Sequence, residues 1–245
     1  MSYIWHTFFF DPIYNSLVFF IDVVPGGDVG IAIILTVILV KLVLLPLSLK
    51  AIRTQIIMRE IEPKLKAIRE EFKDKKEVQA LKTMELFRSA NINPFSSILL
   101  LFIQIPVVIA LYFAVYSGGG IKLPEINVAL LYSFIPAPQT ANMIFLGFLD
   151  ITARSMPLAL IAALTQYIHT HISLPAMEPR KEGAEPNFKE DFARSMHLQM
   201  KFVMPVLIFF VAYTISAAIA LYFTISNLTA IAQEYIVRRK GLKVK

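Results

Sequence analysis

A long run without charged side chains is the feature that most constrains this fold. Residues 94–117 contain no Asp, Glu, Lys or Arg, and a helix of this length can cross the roughly 30 Å hydrocarbon core of a bilayer. Mean hydropathy is +0.62, and 56% of the residues are hydrophobic, whereas soluble domains contain about 45–50%. The sequence therefore predicts an all-α integral membrane protein.

Five segments are predicted to span the membrane as a helix bundle. These are residues 30–50, 94–117, 156–174, 202–216 and 218–237. The last two come from one stretch of 36 residues, which as a single helix would measure about 54 Å and is too long for one crossing. We place the split near residues 214–218, and one long kinked helix is the alternative.

The segments outside the spans complete the predicted organisation. Residues 1–29 form an N-terminal extracytoplasmic segment, 30–237 the transmembrane core and 238–245 a basic cytoplasmic tail. Asp11 and Pro12 predict the start of a short aromatic helix. That helix lies either in the membrane interface or as a packed cover over the bundle. The first 30 residues lack Lys and Arg, so no cleavable signal peptide is predicted.

The predicted location is the cell membrane, that is, the inner or plasma membrane. The basic residues predict the orientation of the protein in it. Of the 24 Lys and Arg residues, eleven lie in residues 50–93, five in 175–201 and five in the tail. Only Lys122 and Arg154 lie in residues 117–155, and residues 1–30 have none. Because cytoplasmic loops carry the excess of basic residues, the N-terminus is predicted outside and the C-terminus in the cytoplasm.

The first cytoplasmic loop, residues 51–93, is predicted to form an antiparallel helical hairpin. Apolar residues at helical spacing mark its first arm: Ile61, Leu65, Ile68 and Phe72. Asp74 and Glu77 resemble a capping box that opens the second arm. That arm carries Val78, Leu81 and Met84 on one side. The simplest interpretation of the apolar residues is a seam between the two arms; contact with the membrane surface or a partner is the alternative.

Lys41 lies at the centre of the apolar run VILVKLVLLPL, about 15 Å from the start of its predicted span. A lysine near the midplane costs on the order of 2.5–3.5 kcal/mol on insertion scales. No Asp or Glu lies in the central part of any predicted span, and Glu234 lies near the cytoplasmic end of the last one. We therefore expect a water-filled cavity to hydrate the ammonium group.

Polar side chains at helical spacing accompany Lys41 in three other spans. The third span carries Gln166, His169, Thr170 and Ser173, the last span Tyr222, Ser226, Thr229 and Gln233, and the second Ser97 and Gln104. The predicted orientation places them in the middle and cytoplasmic half of the membrane. Together they predict a hydrophilic groove that opens to the cytoplasm and stops partway. For any single residue, an interhelical hydrogen bond is the alternative. The candidate groove residues are Lys41, Ser97, Gln104, Gln166, His169, Tyr222, Ser226, Thr229 and Gln233.

The sequence offers no catalytic or metal-binding pattern. His169 and His171 stand two residues apart and do not share a helix face. The absence of cysteine excludes disulfides and thiolate metal ligands. No Ser-His-Asp set, glycine-rich phosphate loop or pair of carboxylates occurs in the spans. We predict that the protein is not an enzyme and needs no cofactor and no metal.

Four motifs, in this order, resemble the YidC/Oxa family of membrane protein insertases. They are LVLLPLSLKAIRTQ, NINPFSSILLLFIQIPVVIALY, FLGFLDIT and LYFTISN. The resemblance is to the short bacterial form, without the large outer domain of many Gram-negative members. It implies insertion of membrane proteins through a groove that opens to cytoplasm and lipid. Lys41 stands where the bacterial family usually has arginine, Phe223 where many members have tyrosine, and residues 215–217 lack the Pro-Gly-type turn that is common there.

The resemblance also implies the partners. These are nascent membrane-protein substrates and membrane lipids, with the ribosome and the Sec translocon as further candidates, and no DNA or nucleotide hydrolysis. Candidate ribosome or nascent-chain contacts are Lys73, Lys75, Lys76, Arg238, Arg239 and Lys240. For the tail residues, a plain positive-inside anchor is the alternative. One alternative function is a small-solute or anion transporter that uses Lys41 as a counter-charge. The other is a structural scaffold that only binds other membrane proteins and would tolerate loss of Lys41.

Overall fold

The computed structural model describes residues 2–93, 95–117, 120–174 and 195–239, and most of them are helical. The helices are α1 Ser2–Trp5, α2 Asp11–Val23, α3 Val29–Val43, α4 Leu45–Glu71, α5 Lys76–Ser89, α6 Phe95–Tyr116, α7 Met156–Ser173, α8 Met204–Ile215 and α9 Ala217–Arg239. Two short strands, β1 Ile144–Phe145 and β2 Leu149–Asp150, pair antiparallel. The predicted all-α class is confirmed. The chain forms two compact units, residues 1–43 with 105–232 and residues 44–104 with 233–245.

The N-terminal helix begins earlier than the sequence predicts. The α-helix α2 begins at Asp11 with Pro12 in its first turn, as predicted, but helical backbone already runs from Ser2 through a π-helical turn, His6–Phe10, into it. The predicted cap by Asp11 is wrong, because Phe10 holds the cap position. In the π-turn the N–H of Asp11 bonds to the carbonyl of His6, five residues back. Pro12, which has no N–H to donate, therefore comes directly after the π-turn, where the regular α-helical hydrogen-bond pattern is already interrupted. The Asp11 carboxylate bonds to His6 Nδ1 (2.8 Å) and does not cap a helix.

Helix α2 packs against α3 with one apolar face. Its buried residues include Tyr14, Leu17, Val18 and Ile21, which follow the i, i+3, i+4, i+7 pattern of a single helix side. The buried side of α3 contains Val29, Ala32, Ile33, Thr36 and Val37. This burial favours the packed-cover alternative for the N-terminal helix.

The predicted first span, residues 30–50, is not one continuous helix. Helix α3 ends at Val43, and α4 begins at Leu45 with Pro46 in its first turn. A proline has no N–H to continue the helical ladder, and its ring clashes with the carbonyl four residues back. Helix α4 then runs to Glu71, across the boundary expected at residue 51.

In the second unit, α4 and α5 contact each other across the turn at residues 72–75. Gln79 Nε2 donates to the carbonyl of Arg69 (3.0 Å). The predicted capping box is wrong: Lys75 holds the cap position, with no side-chain hydrogen bond, so Asp74 lies one residue too early. Leu81 and Met84 are exposed, so the seam interpretation is wrong for α5.

Helices α7, α8 and α9 meet through small residues in the first unit. The fully buried side chains Ala159, Ala162, Ala212 and Ala220 form this contact with Ile208, and small residues permit close approach of helices in membranes. Between α8 and α9, Ser216 has extended backbone (φ −177°, ψ 169°) and ends α8. The break lies within residues 214–218.

Large apolar side chains are exposed along the outer faces of several helices. On α6 they are Leu99, Phe102, Ile105, Ile109 and Phe113, and on α7 Leu160, Ile161, Leu164 and Ile168. Surfaces of this kind are typical of contact with lipid rather than water. Among the described residues, Ser195–Ile215 is long and apolar enough to cross a bilayer alone, and α3 with α4 adds a second if they form one span. The count of five spans stays a prediction.

Candidate functional site

Asp28, at the start of α3, anchors one end of the first unit. Its Oδ1 accepts from the N–H groups of Gly30 (2.8 Å) and Ile31 (3.1 Å), which is an N-cap interaction. Its Oδ2 accepts from the N–H of Leu146 (2.8 Å). Asp28 is buried. One carboxylate therefore starts the helix that carries Lys41 and holds the β1–β2 hairpin against it.

Residues 142–155 connect the starts of three helices. Backbone bonds join Val29 N to Asn142 O (3.0 Å) and Asn142 N to Gly27 O (2.8 Å). The first N–H groups of α9, at Ala217 and Ala218, donate to the carbonyls of Ala153 (2.8 Å) and Ile151 (2.9 Å). Ser155 Oγ accepts from the N–H of Leu158 (3.4 Å) and caps α7. The starts of α3, α7 and α9 therefore share one end of the unit, which we call the anchored end.

Four of the nine candidate groove residues lie at similar distances along their helices from the anchored end. Lys41 follows the first residue of α3 by twelve positions, or about 18 Å along the axis. Gln166 and His169 follow the start of α7 by ten and thirteen positions, or about 15 and 20 Å. Thr229 follows the start of α9 by twelve positions, also about 18 Å. These four polar positions therefore lie at similar distances from the anchored end.

Tyr222 and Ser226 differ from those four residues. Tyr222 lies only five positions into α9, or about 8 Å. Its side chain is 1% exposed, and Ser226 is 6% exposed. Lys41, Gln166, His169 and Thr229 are half-buried. The half-buried positions are accessible enough to line a groove, whereas Tyr222 and Ser226 pack inside the unit.

The local hydrogen bonds show how these polar groups are held. Gln166 Nε2 donates to Thr170 Oγ1 (3.1 Å) one turn later on α7. Thr229 Oγ1 donates to the carbonyls of Ile225 (2.9 Å) and Ser226 (2.8 Å) on its own helix. Bonds of this type satisfy a hydroxyl within its own helix, so the Thr229 methyl and oxygen remain at the helix surface.

Asn227 joins α7 and α9, and sequence reasoning missed it. Its Nδ2 donates to Ala162 O and to Thr165 Oγ1, both at 3.4 Å. Asn227 and Thr165 are buried. Asn227 lies beside the predicted stripe on α9, so the helical spacing of that stripe did not select it. It is the last residue of the motif LYFTISN, which was the available signal.

Three candidate residues belong to the second unit. Gln104 on α6 and Gln233 on α9 are half-buried, and the side chain of Ser97 lies outside the described residues. Of the basic candidates, Lys73, Lys75, Lys76 and Arg239 are exposed, and Lys240 lies outside the described residues.

A charged cluster in the second unit connects α4 with the end of α9. Glu234 Oε1 accepts from Arg238 Nη2 (2.6 Å) and Nε (3.1 Å). The Glu234 side chain is 3% exposed, and that of Arg238 is 41% exposed. Burial lowers the pKa of Arg59 on α4, the charge of Arg238 lowers it further, and Glu234 raises it. The buried carboxylate thus bonds to Arg238 on its own helix, and its charge acts on Arg59 of α4.

We expect Glu234→Gln to lower the free energy of unfolding by about 1–2 kcal/mol, because Arg238 loses a buried charged acceptor and Arg59 loses the negative charge that acts on it. Glu62→Gln is the matched control, since Glu62 and Lys66 form an exposed pair (3.8 Å) of little energetic weight. Denaturant titration of both variants measures the difference. Equal stability of the two would show that the cluster does not hold these helices together.

Comparison with known proteins decides the family. The model of the family described as 60Kd inner membrane protein matches residues 20–243. The chain belongs to the YidC/Oxa family of membrane protein insertases. It is 28% identical over 215 residues to "Membrane protein insertase YidC" of Clostridium tetani, covering 88% of this chain and 84% of that one. It is 28% identical over 231 residues to the protein of the same name in Clostridium acetobutylicum (94% and 80%).

Longer YidC proteins match over only part of their length. The one from Syntrophobacter fumaroxidans is 29% identical over 245 residues, covering 98% of this chain and 39% of that protein. The YidC/Oxa relatives identify this chain as an inner or plasma membrane protein of the insertase type. The resemblance read from the motifs is thereby confirmed.

Proposed function

We propose that the half-buried polar residues at matching depth form a hydrophilic groove through which nascent membrane proteins enter the bilayer. The observation that carries this proposal is the shared distance, about 15–20 Å, of Lys41, Gln166, His169 and Thr229 from the anchored end. A groove that reaches this depth would hydrate a polar segment halfway across the hydrocarbon core. Only the remaining half would then oppose its passage.

The proposed orientation places the anchored end outside and the C-terminus in the cytoplasm. The positive-inside rule supports it, because α4 and α5 with the tail carry most of the basic residues. A nascent segment then enters from the cytoplasm, with its short polar or acidic flank beside Lys41. Its apolar part passes to lipid, which is favourable by about 25 cal/mol for each Å² of apolar area removed from water. This transfer supplies the driving force, so no nucleotide is hydrolysed.

The proposed partners follow from the same arrangement. Nascent membrane-protein segments and lipids meet at the groove. The exposed side chains of Lys73, Lys75 and Lys76 suit contact with a ribosome or a nascent chain on the cytoplasmic side, because clustered lysines attract phosphates and acidic groups. The Sec translocon is a further proposed partner.

Reconstitution in liposomes tests the proposal. The purified protein is given a single-span substrate with a short acidic N-terminal tail, in the absence of nucleotide. We expect the tail to become protected from external protease. A substrate whose apolar segment is interrupted by charged residues is the control and should stay accessible. Protection no greater than in empty liposomes would contradict the insertase function.

A further inference from the structure

Two turns in the connection between α6 and α7 expose aromatic side chains on rigid bases. The first, which we call the Phe134 turn, covers residues 130–135. The second, the Phe148 hairpin, covers residues 144–150 and contains β1 and β2. Phe134 is 78% exposed and Phe148 76% exposed. Loop tips that face water are ordinarily polar, so these apolar tips need an explanation.

The Phe148 hairpin is fixed on the start of α3. The N–H of Leu146 donates to Asp28 Oδ2 (2.8 Å), and Phe145 is buried. The ring of Phe145 lies so close to Gly30 that a Cβ at that position would collide with it. At the tip, Leu146 and Gly147 have positive φ (51° and 80°), which closes the turn. Its base therefore cannot rotate to bury Phe148 against the protein.

The Phe134 turn is fixed on α2 in a similar way. Asn15 Nδ2 donates to Leu130 O (2.9 Å), and the N–H of Tyr132 donates to Asn15 Oδ1 (2.7 Å). Asn15 is 1% exposed. The N–H of Ile135 closes the turn on Tyr132 O (2.9 Å). A buried side chain thus holds each turn while its phenylalanine points away from the core.

We propose that the Phe134 turn and the Phe148 hairpin insert into the lipid leaflet from which α3 starts, and together anchor this end of the protein in the membrane. The hairpin is bonded to Asp28, and α3 begins at Val29, so its tip lies where a membrane helix meets the interface. Phenylalanine and leucine side chains of interfacial segments bury themselves at the headgroup–acyl boundary of the bilayer. The exposed Leu146 extends the apolar tip beside Phe148.

This anchor would set the depth of the polar positions. The hairpin is bonded to the first turn of α3, and Lys41 follows on the same helix about 18 Å away. A tip held at the interface therefore fixes how far Lys41 lies inside the membrane. The inference depends on family membership and on the geometry of the first unit, and it stands whether or not the groove carries substrates.

Site-directed spin labelling tests the proposal, because the chain has no cysteine. Single variants Phe148→Cys and Phe134→Cys of the 245-residue chain are labelled with a nitroxide in phosphatidylcholine–phosphatidylglycerol vesicles. The rate at which the nitroxide collides with oxygen, which concentrates in lipid, is compared with its collision rate with a water-soluble nickel chelate. Glu125→Cys is the control, since Glu125 is an exposed charged residue of the same loop.

We expect nickel collision to be severalfold lower at positions 134 and 148 than at 125, with oxygen collision higher. Nickel collision as high as at 125 would show that the tips lie in water and would overturn the proposal. Low collision with both reagents would show that protein, such as a second copy of the chain, covers the tips, and would overturn it equally. A lipid signature at only one position would overturn the two-turn anchor.

Discussion

Asp28→Ala is expected to lower the free energy of unfolding by about 3 kcal/mol. The carboxylate accepts three backbone N–H bonds, two from the first turn of α3 and one from Leu146. Loss of an N-cap costs about 0.5–2 kcal/mol, and a buried donor without its acceptor about 1–3 kcal/mol. Since α3 and the hairpin lose their connection together, the two costs combine.

The fluorescence of Trp5 during titration with SDS measures this change. Trp5 is the only tryptophan in the chain, and its ring stacks on Phe9 and meets Phe113 of α6 edge-on, so it reports packing in the first unit. Asp22→Ala is the matched control, because Asp22 is exposed near the end of α2. If Asp28→Ala unfolded at the same SDS fraction as Asp22→Ala, the anchoring role of Asp28 would be wrong.

Lys41→Ala is expected to reduce insertion of a substrate with an acidic tail about tenfold, while Lys41→Arg retains it. An ammonium and a carboxylate about 6 Å apart attract by roughly 3 kcal/mol at an effective dielectric constant of 20. Loss of half of that attraction, about 1.4 kcal/mol, corresponds to a tenfold reduction in insertion. Arginine keeps the charge, although it replaces a compact ammonium by a planar guanidinium.

The initial rate of tail protection in proteoliposomes measures the effect. Lys50→Ala is the control, because Lys50 is exposed near the end of the predicted first span. A second substrate with a neutral tail separates charge from packing: its insertion should be the same with Lys41→Ala as with the unmodified protein. Equal rates for lysine, arginine and alanine at position 41 with the acidic substrate would remove this residue from the mechanism.

The sequence predicted the helices best where an uncharged run ends in local signals. Helix α6, Phe95–Tyr116, lies within the predicted residues 94–117, and α7, Met156–Ser173, within residues 156–174. Hydropathy set the predicted bounds of both helices, and in the structure the Ser155 cap and Pro157 start α7. These features act over a few residues, and a single sequence displays them directly.

Local signals failed where two of them competed. Pro46 lies within an apolar run. Because the prediction used hydropathy alone, it extended the helix across the break at Leu44. At α5 the acidic pair Asp74 and Glu77 resembled a capping box, yet the helix starts one residue later than that motif requires. Composition and spacing do not show which of two adjacent residues leaves the helical conformation.

The anchored end was beyond prediction because its bonds join distant parts of the chain. Asp28 and Leu146 are 118 positions apart, and the caps of α9 are carbonyl groups of Ile151 and Ala153. Backbone carbonyls have no sequence signature. The stripe on α9 likewise included Tyr222, which is buried, and left out Asn227, which bonds to α7. Helical spacing gives a shared face but not what covers it.

Accessibility of cysteines along α7 and α9 tests the groove most directly. Gln166→Cys and Thr229→Cys are compared with Leu164→Cys, an exposed apolar position two residues from Gln166, by adding a membrane-impermeant charged thiol reagent to either side of sealed vesicles. The groove predicts that positions 166 and 229 react from the cytoplasmic side only and that position 164 reacts from neither. Failure of 166 and 229 to react from the cytoplasm, or their reaction from the outer side as in a transport pathway, would contradict it.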